Sequence, residues 1–454
     1  MRIPFARTDL ANGLRILVVE HHGLPTVAIN LTLRSGSAAN PPDCAGLADL
    51  TADLLVSGTL TRNADGIAEL VDSLGATMIA TTGWDSTSLS AAGLVVDTAT
   101  LLGLIAEIVA APAFPEDELE QLRLRRLTEL KVRRDSPSAV ASDTFAEVLY
   151  PGHPFGLSPD GTIASVETVR RSDLTAFHAA HYLPGNAVLV IVGDVDPDAV
   201  VRSAEGAFGA WRPAPVAETS IPNPVPPRGM RAVIVDRPDL TQTQIRIGHL
   251  GVARAAPDWF PLTVANYILG GGGFSSRLLD RIRVQKGYTY GLSSVFSARR
   301  AGGPFTISTF TPNATVPEVV GEVLAVTREF RREGADRVEL DAARNFFVCG
   351  YPRSFETPSG IATALTEVEL YGLGEDYIET WQNRLGAVSS EQVIETAARR
   401  FDPENIVLAL VGRAEEVAGR LRDTLEAEAA EGSTPPRVEI RPHDEQNQSA
   451  AGGL

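Results

Sequence analysis

The chain is short of several residue types, and each shortage removes a class of protein. It has two cysteines, Cys44 and Cys349, in 454 residues, so no disulfide framework holds it together. That scarcity fits a reducing compartment and leaves the periplasm open. Cations are outnumbered: 40 Lys and Arg stand against 57 Asp and Glu, a formal net charge of −17. Nucleic acid and anionic membranes are bound by clustered Lys and Arg, so neither is expected as a partner. No apolar run reaches the length of a membrane span. No apolar leader with a small-residue cleavage site opens the chain either, because MRIPFARTDLANGLRILVVE goes directly into a strand pattern. The expected location is therefore cytoplasmic, or periplasmic if a signal peptide precedes this numbering.

What is present is ordinary globular material, 44% hydrophobic and 21% charged, with room for two to four domains. Prolines and polar residues in 212-RPAPVAETSIPNPVPPRG-229 predict an extended linker that divides the chain nearly in half. The halves resemble each other. The buried-strand pattern 186-NAVLVIVGDVD-196 returns as 405-NIVLALVGRAE-415, each followed by a helical run. Apolar helices follow strand pairs at 47-LADLTADLL-55 and 262-LTVANYIL-269, with Asp49 and Asp53 falling opposite Leu262 and Asn266. Two repeats in the same order indicate an internal duplication.

Strands are predicted at 13–20, 26–36 and 77–94, and helices at 45–57, 64–75, 97–111, 115–134 and 166–181. Alternating polar and apolar residues in the strands favour antiparallel sheets with one covered face. The fold class expected is α+β, two homologous halves of layered antiparallel sheet with helices on one face. The boundaries are an N-terminal half at 1–211, a linker at 212–229, a C-terminal half at 230–430 and a polar, Gly/Pro-rich tail at 431–454.

The stretch 46-GLADLTADLLVSGT-59 carries an anomaly. Asp49 and Asp53 are four apart, so they share a face of an otherwise apolar helix. Around it the chain resembles a known family, the pitrilysin and mitochondrial processing peptidases, zinc enzymes with the inverted motif His-x-x-Glu-His. The resemblance runs through 11-ANGLRILVVE-20, Gly36, the helix closed by Gly58-Thr59, 150-YPGHPFG-156, 193-GDVD-196 and 371-YGLGEDY-377. It implies that Asp49 and Asp53 stand where the family has its two zinc-binding histidines. Ala52 then takes the place of the water-activating Glu, and Glu129 that of the third ligand. These are degenerate metal-site positions.

Zinc sites favour imidazole, whereas three carboxylates suit a harder ion such as Mg²⁺ or Ca²⁺. Ala52 has no group to take a proton from a metal-bound water. Two readings of the carboxylates follow. Either they are tolerated on a wall facing the family's wet cavity, or Asp49, Asp53 and Glu129 form a replacement metal site. The chain alone is not expected to catalyse zinc hydrolysis.

The second half holds 269-LGGGGFSSRLLDRIRVQKGYTYGLSS-294, which lacks the Gly-Lys-Ser/Thr ending of a phosphate-binding loop. Without the family, Arg283 reads as a surface ion pair and Tyr290 as a core aromatic. The resemblance implies instead that the two, seven residues apart, are the donor pair that contacts peptide carbonyls and helps to stabilise the tetrahedral intermediate. Tyr288 has the wrong spacing. The Gly-rich loop, with Gly271, Gly272, Gly273 and Ser276, is implied to touch substrate. So is an edge strand at 79-IATTGWDST-87, where Ala80, Thr82 and Thr87 match and Ile79 replaces an Asn.

Other candidates are weaker. His178 and His181 have no third ligand spaced to join them. His21 and His22 sit at a turn, Cys44 and Cys349 are lone thiols, and no Ser-His-Asp order with a nucleophile elbow is visible.

By resemblance, half-size members of the family pair two chains as a clamshell around a cavity. The expectation is a non-zinc-binding subunit that binds no cofactor itself. Zn²⁺ would be carried by a related partner chain with His-x-x-Glu-His, and the substrates would be peptides. The alternatives are a structural scaffold subunit and a peptide-binding homodimer.

Overall fold

The structure is a computed structural model that describes residues 3–216 and 221–443. Two compact units are present. One comprises Met1–Leu130, Ser158–Ile221 and Gly350–Trp381, the other Lys131–Leu157, Pro222–Cys349 and Gln382–Leu454.

The first unit is built on strands β1 (Ala6–Asp9), β2 (Arg15–Glu20), β3 (Thr26–Leu33), β4 (Thr77–Thr82), β5 (Thr87–Leu94) and β6 (Ala187–Gly193). Their order across the sheet is β1-β2-β6-β3-β5-β4. The second unit uses β7 (Arg231–Asp236), β8 (Gln242–Leu250), β9 (Leu292–Phe296), β10 (Pro304–Pro312), β11 (Val407–Gly412) and β12 (Arg437–Pro442), in the order β12-β7-β11-β8-β10-β9. The repeated runs read from the sequence become β6 and β11, which hold equivalent places. Each lies parallel to one neighbour, β2 or β7, and antiparallel to the other, β3 or β8. The antiparallel layering expected therefore holds with a central parallel pairing added in each sheet and a second one, β12 with β7, at the edge of the second sheet.

A central strand of this kind is covered on both faces, and that is why 187-AVLVIVG-193 is apolar throughout rather than alternating. All seven of its residues are buried. One face carries Ile16, Val18, Ile29, Leu31, Leu189 and Ile191, packed with helices of the first sequence half. The opposite face, Leu17, Val19, Val188, Val190 and Val192, is covered by Ile361, Ala362 and Leu365. These three lie on the helix Pro358–Tyr371, which belongs to the second sequence half. The exchange is reciprocal. Val140 and Ala141, on the first-half helix Pro137–Leu149, pack on Val235 and Val411 of the second sheet. Helices thus lie on both faces, and each compact unit borrows one helix across the linker.

Other expectations need smaller adjustments. The run 77–94 is a hairpin rather than one strand, and 166–181 contains two helices, Ile163–Thr168 and Arg171–His181. The described residues of the linker carry no helix or strand. The polar tail from 431 is not all tail, because Arg437–Pro442 pairs with β7 as β12. Its Arg, Glu and Arg alternate with Val438 and Ile440, and such a charged edge strand looks like solvated chain in sequence. The remainder of that tail, 444–454, lies outside the described residues.

Candidate functional site

The helix Leu47–Leu55 starts where two glycines cross. Gly46 has φ +89° and Gly161 φ +84°, and a Cβ on Gly46 would meet the Gly161 Cα at 3.0 Å. That approach, open only to residues without side chains, brings the Asp160 loop to the helix N-terminus. Asn40 accepts the Ala48 N–H at 2.8 Å and caps the helix. Leu47, Leu50, Leu54 and Leu55 are buried, as is Ala52 at 1% exposure. Ala52, which the resemblance aligns with the family's water-activating Glu, therefore presents a methyl group packed in the core.

Asp49 and Asp53 converge on a residue that sequence reasoning missed. Arg126 Nη2 lies 2.6 Å from Asp49 Oδ2 and 2.9 Å from Asp53 Oδ2. Arg126 Nε is 3.6 Å from Glu129 Oε2, and Nη1 is 3.6 Å from Asp160 Oδ1. Asp53 accepts an aligned hydrogen bond, whereas the buried Asp49 Oδ2 is paired by charge alone. Burial pushes the Asp49 carboxyl up to about 7, against the pull of Arg126. Asp53 is raised for the same reason.

A signal for Arg126 was present in the sequence. On the helix Glu116–Asp135, Leu119, Leu122 and Leu130 are buried. Arg126 falls on the same stripe, four residues from both Leu122 and Leu130. A cation on an apolar stripe needs anions, and two carboxylates on an apolar helix need a cation. Nothing in the spacing joins position 53 to position 126, so only the folded chain shows the match.

Zinc does not fit this donor set, which has no imidazole and has a guanidinium between its carboxylates. The replacement site of Asp49, Asp53 and Glu129 meets the same obstacle. Among the described residues, no group of three or more His, Cys, Asp or Glu could hold a metal ion. His178 and His181 serve packing: His178 Nε2 hydrogen-bonds the Val109 carbonyl at 2.8 Å and stacks on Tyr182, and His181 rests on Phe177.

The second unit holds the other set. Two π-helical turns, Tyr267–Gly271 and Asp280–Gln285, flank the Gly-rich loop, a distortion that recurs at functional sites. A Cβ on Gly272 would meet the Tyr267 carbonyl at 2.7 Å, and one on Gly271 the Asn266 amide at 2.8 Å. These glycines are therefore required by close packing, whereas Gly273 (φ +59°) faces open space. Ser276 departs from its expected role. It is fully buried, and its Oγ donates to the Gly273 carbonyl at 2.7 Å, so it shapes the loop from beneath rather than meeting a substrate.

Arg283 is half-buried, and its guanidinium lies over the Phe274 ring. Tyr290 is 77% exposed and Phe274 69%. Tyr290 is thus no core aromatic. The carbonyl of Tyr288 accepts from Thr311 Oγ1, and Thr289 Oγ1 donates to Gly291, so the segment is pinned while Tyr290 projects. Ala80 and Thr82 lie on β4, the sheet edge of the first unit. Their side chains turn inward, leaving Ile79 and Thr81 exposed.

The two sheets, each with a central strand parallel to one neighbour and antiparallel to the other, define a duplicated α+β scaffold. Residues 15–160 match the model described as insulinase (peptidase family M16), and residues 168–347 match the peptidase M16 inactive domain. The chain belongs to peptidase family M16. It is 28% identical over 405 residues to an uncharacterized zinc protease of Rickettsia bellii, covering 88% of this chain and 96% of that protein. Another such protein, of Mycobacterium tuberculosis, is 29% identical over 398 residues, or 85% and 88% of the two chains. The crystal structure of a peptidase M16 inactive domain from Pseudomonas fluorescens superposes with a TM-score of 0.85 at 28% identity, covering 90% of this chain and 98% of that one. A protease from Helicobacter pylori shares the fold, with a TM-score of 0.83 at 20% identity over 90% of this chain and all of its own.

Proposed function

We propose that this chain is the non-zinc-binding subunit of a two-chain metallopeptidase and supplies Arg283 and Tyr290 for peptide binding and transition-state stabilisation. The observation that supports it is the exposure of Tyr290, together with the Arg283 guanidinium lying over Phe274 of the Gly-rich loop. A core aromatic would have been buried. Guanidinium and phenol are strong donors, and peptide hydrolysis builds negative charge on the scissile carbonyl oxygen. β4, as an edge strand, offers unpaired main-chain groups for an extended peptide at Ala80 and Thr82. The partner is a related chain with His-x-x-Glu-His, which holds Zn²⁺ and the water-activating carboxylate that Ala52 cannot replace.

The test is hydrolysis of a quenched fluorescent peptide with Zn²⁺, by this chain alone and mixed with such a partner. Activity confined to the mixture and lost with Arg283→Ala or Tyr290→Phe is the expected result. Turnover by this chain alone, or an undiminished rate with both variants, would overturn the reading.

A further inference from the structure

The proposed function leaves Arg126 without a task. Its guanidinium nevertheless occupies the point on which both motif-helix carboxylates and Glu129 converge. We propose that Arg126 is a tethered cation, a side chain that permanently fills the place of the metal in this chain of a zinc-peptidase family. The three guanidinium nitrogens divide the cluster among them. Nη2 holds Asp49 and Asp53 at 2.6 and 2.9 Å, whereas Nη1 and Nε face Asp160 and Glu129 as ion pairs at 3.6 Å, Nε without a hydrogen bond.

The chemistry suits the role. Four carboxylates brought together repel one another unless a cation joins them. Guanidinium stays protonated, presents five donors and cannot be chelated away. It is held in place by its helix, because Leu119, Leu122 and Leu130 on the same stripe are buried. An incoming divalent ion would meet a fixed positive charge at every carboxylate it could bind. Without Arg126, the same all-oxygen set would suit a hard divalent cation such as Mn²⁺ rather than zinc. The inference does not depend on the peptidase reading, since a scaffold subunit would carry the same tethered cation.

The experiment is calorimetric titration of the full chain with ZnCl₂ and MnCl₂, with no activity readout. Wild type is expected to show no stoichiometric site that Asp49→Asn/Asp53→Asn removes. Arg126→Ser is expected to gain a single Mn²⁺ site, at least roughly tenfold tighter than any wild-type binding. Adding Asp49→Asn and Asp53→Asn to that variant should abolish the site. Arg126→Lys keeps a cation on the stripe and should gain none. A wild-type site removed by Asp49→Asn/Asp53→Asn overturns the proposal. So does a folded Arg126→Ser with no Mn²⁺ site. If Arg126→Ser does not fold, the wild type and Arg126→Lys decide, and an Mn²⁺ site in either counts against a tethered cation.

Discussion

The Arg283 guanidinium lies 4.6 Å from the centroid of the Phe274 ring, so the loop expected to meet substrate also holds the residue expected to bind its carbonyl. The ring is mostly exposed, and a cation–π contact at such a site contributes about 0.5–1 kcal/mol. Phe274→Ala frees the guanidinium without opening a cavity. With the zinc-bearing partner present, it should weaken peptide use roughly two- to fivefold, seen in kcat/KM. The melting temperature of the isolated chain should hardly move. An unchanged kcat/KM would show that Phe274 does not position Arg283.

Arg126 governs stability as well as charge. Removing one member of a buried ion pair typically costs about 3–5 kcal/mol, because the partner charges are left without compensation. Arg126→Ala should approach the low end of that range, since Glu129 is about half exposed and can reach water. Arg126→Lys should lose less. Urea midpoints for the two variants give the comparison, and equal midpoints would mean that the guanidinium charge is not what matters.

The cluster also predicts a pH dependence. Asp49 has an ordinary value of 3.8 and is pushed up to about 7 by burial, so the folded state holds this proton more tightly than the unfolded chain does. The stabilisation is fully present below about pH 4 and is lost as the pH rises to 7. Asp53 shifts in the same direction. Thermal stability should therefore fall between pH 5 and 7, by at most about 1.4 kcal/mol per pH unit for each group. Asp49→Asn removes the Asp49 part, so its profile should be flatter. Identical slopes for wild type and variant would show that Asp49 titrates normally.

Exchange of helices means that the two sequence halves should not fold apart. Fragments cut within the linker each carry the helix that covers the other half's sheet. Fully burying an Ile or Leu is favourable by about 1.5–3 kcal/mol, and the first sheet would lose Ile361 and Leu365 together. Each fragment alone is expected to bind the dye ANS and to lack dispersed methyl signals in NMR. Mixing the fragments should restore both properties of the intact chain. Two independently folded fragments would contradict the prediction.

Much of this protein is determined locally. The duplication is legible because β6 and β11 are buried on both faces and so must repeat the same apolar run. The motif helix is legible because its leucines recur at helical spacing, and that regularity makes Asp49 and Asp53 stand out. The Gly-rich loop announces itself because bulkier residues would collide with Asn266 and Tyr267. β12 escaped notice because an exposed edge strand needs little apolar surface.

What the tertiary structure alone decided are the long-range pairings. No local pattern says that the helix Pro137–Leu149 covers the second sheet or that Pro358–Tyr371 covers the first, because an amphipathic helix specifies an apolar surface but not which one. The same holds for Arg126. The sequence shows a cation stranded on one helix stripe and two anions on another, and each must find compensation. Packing, which joins residues 73 positions apart, is what makes them partners.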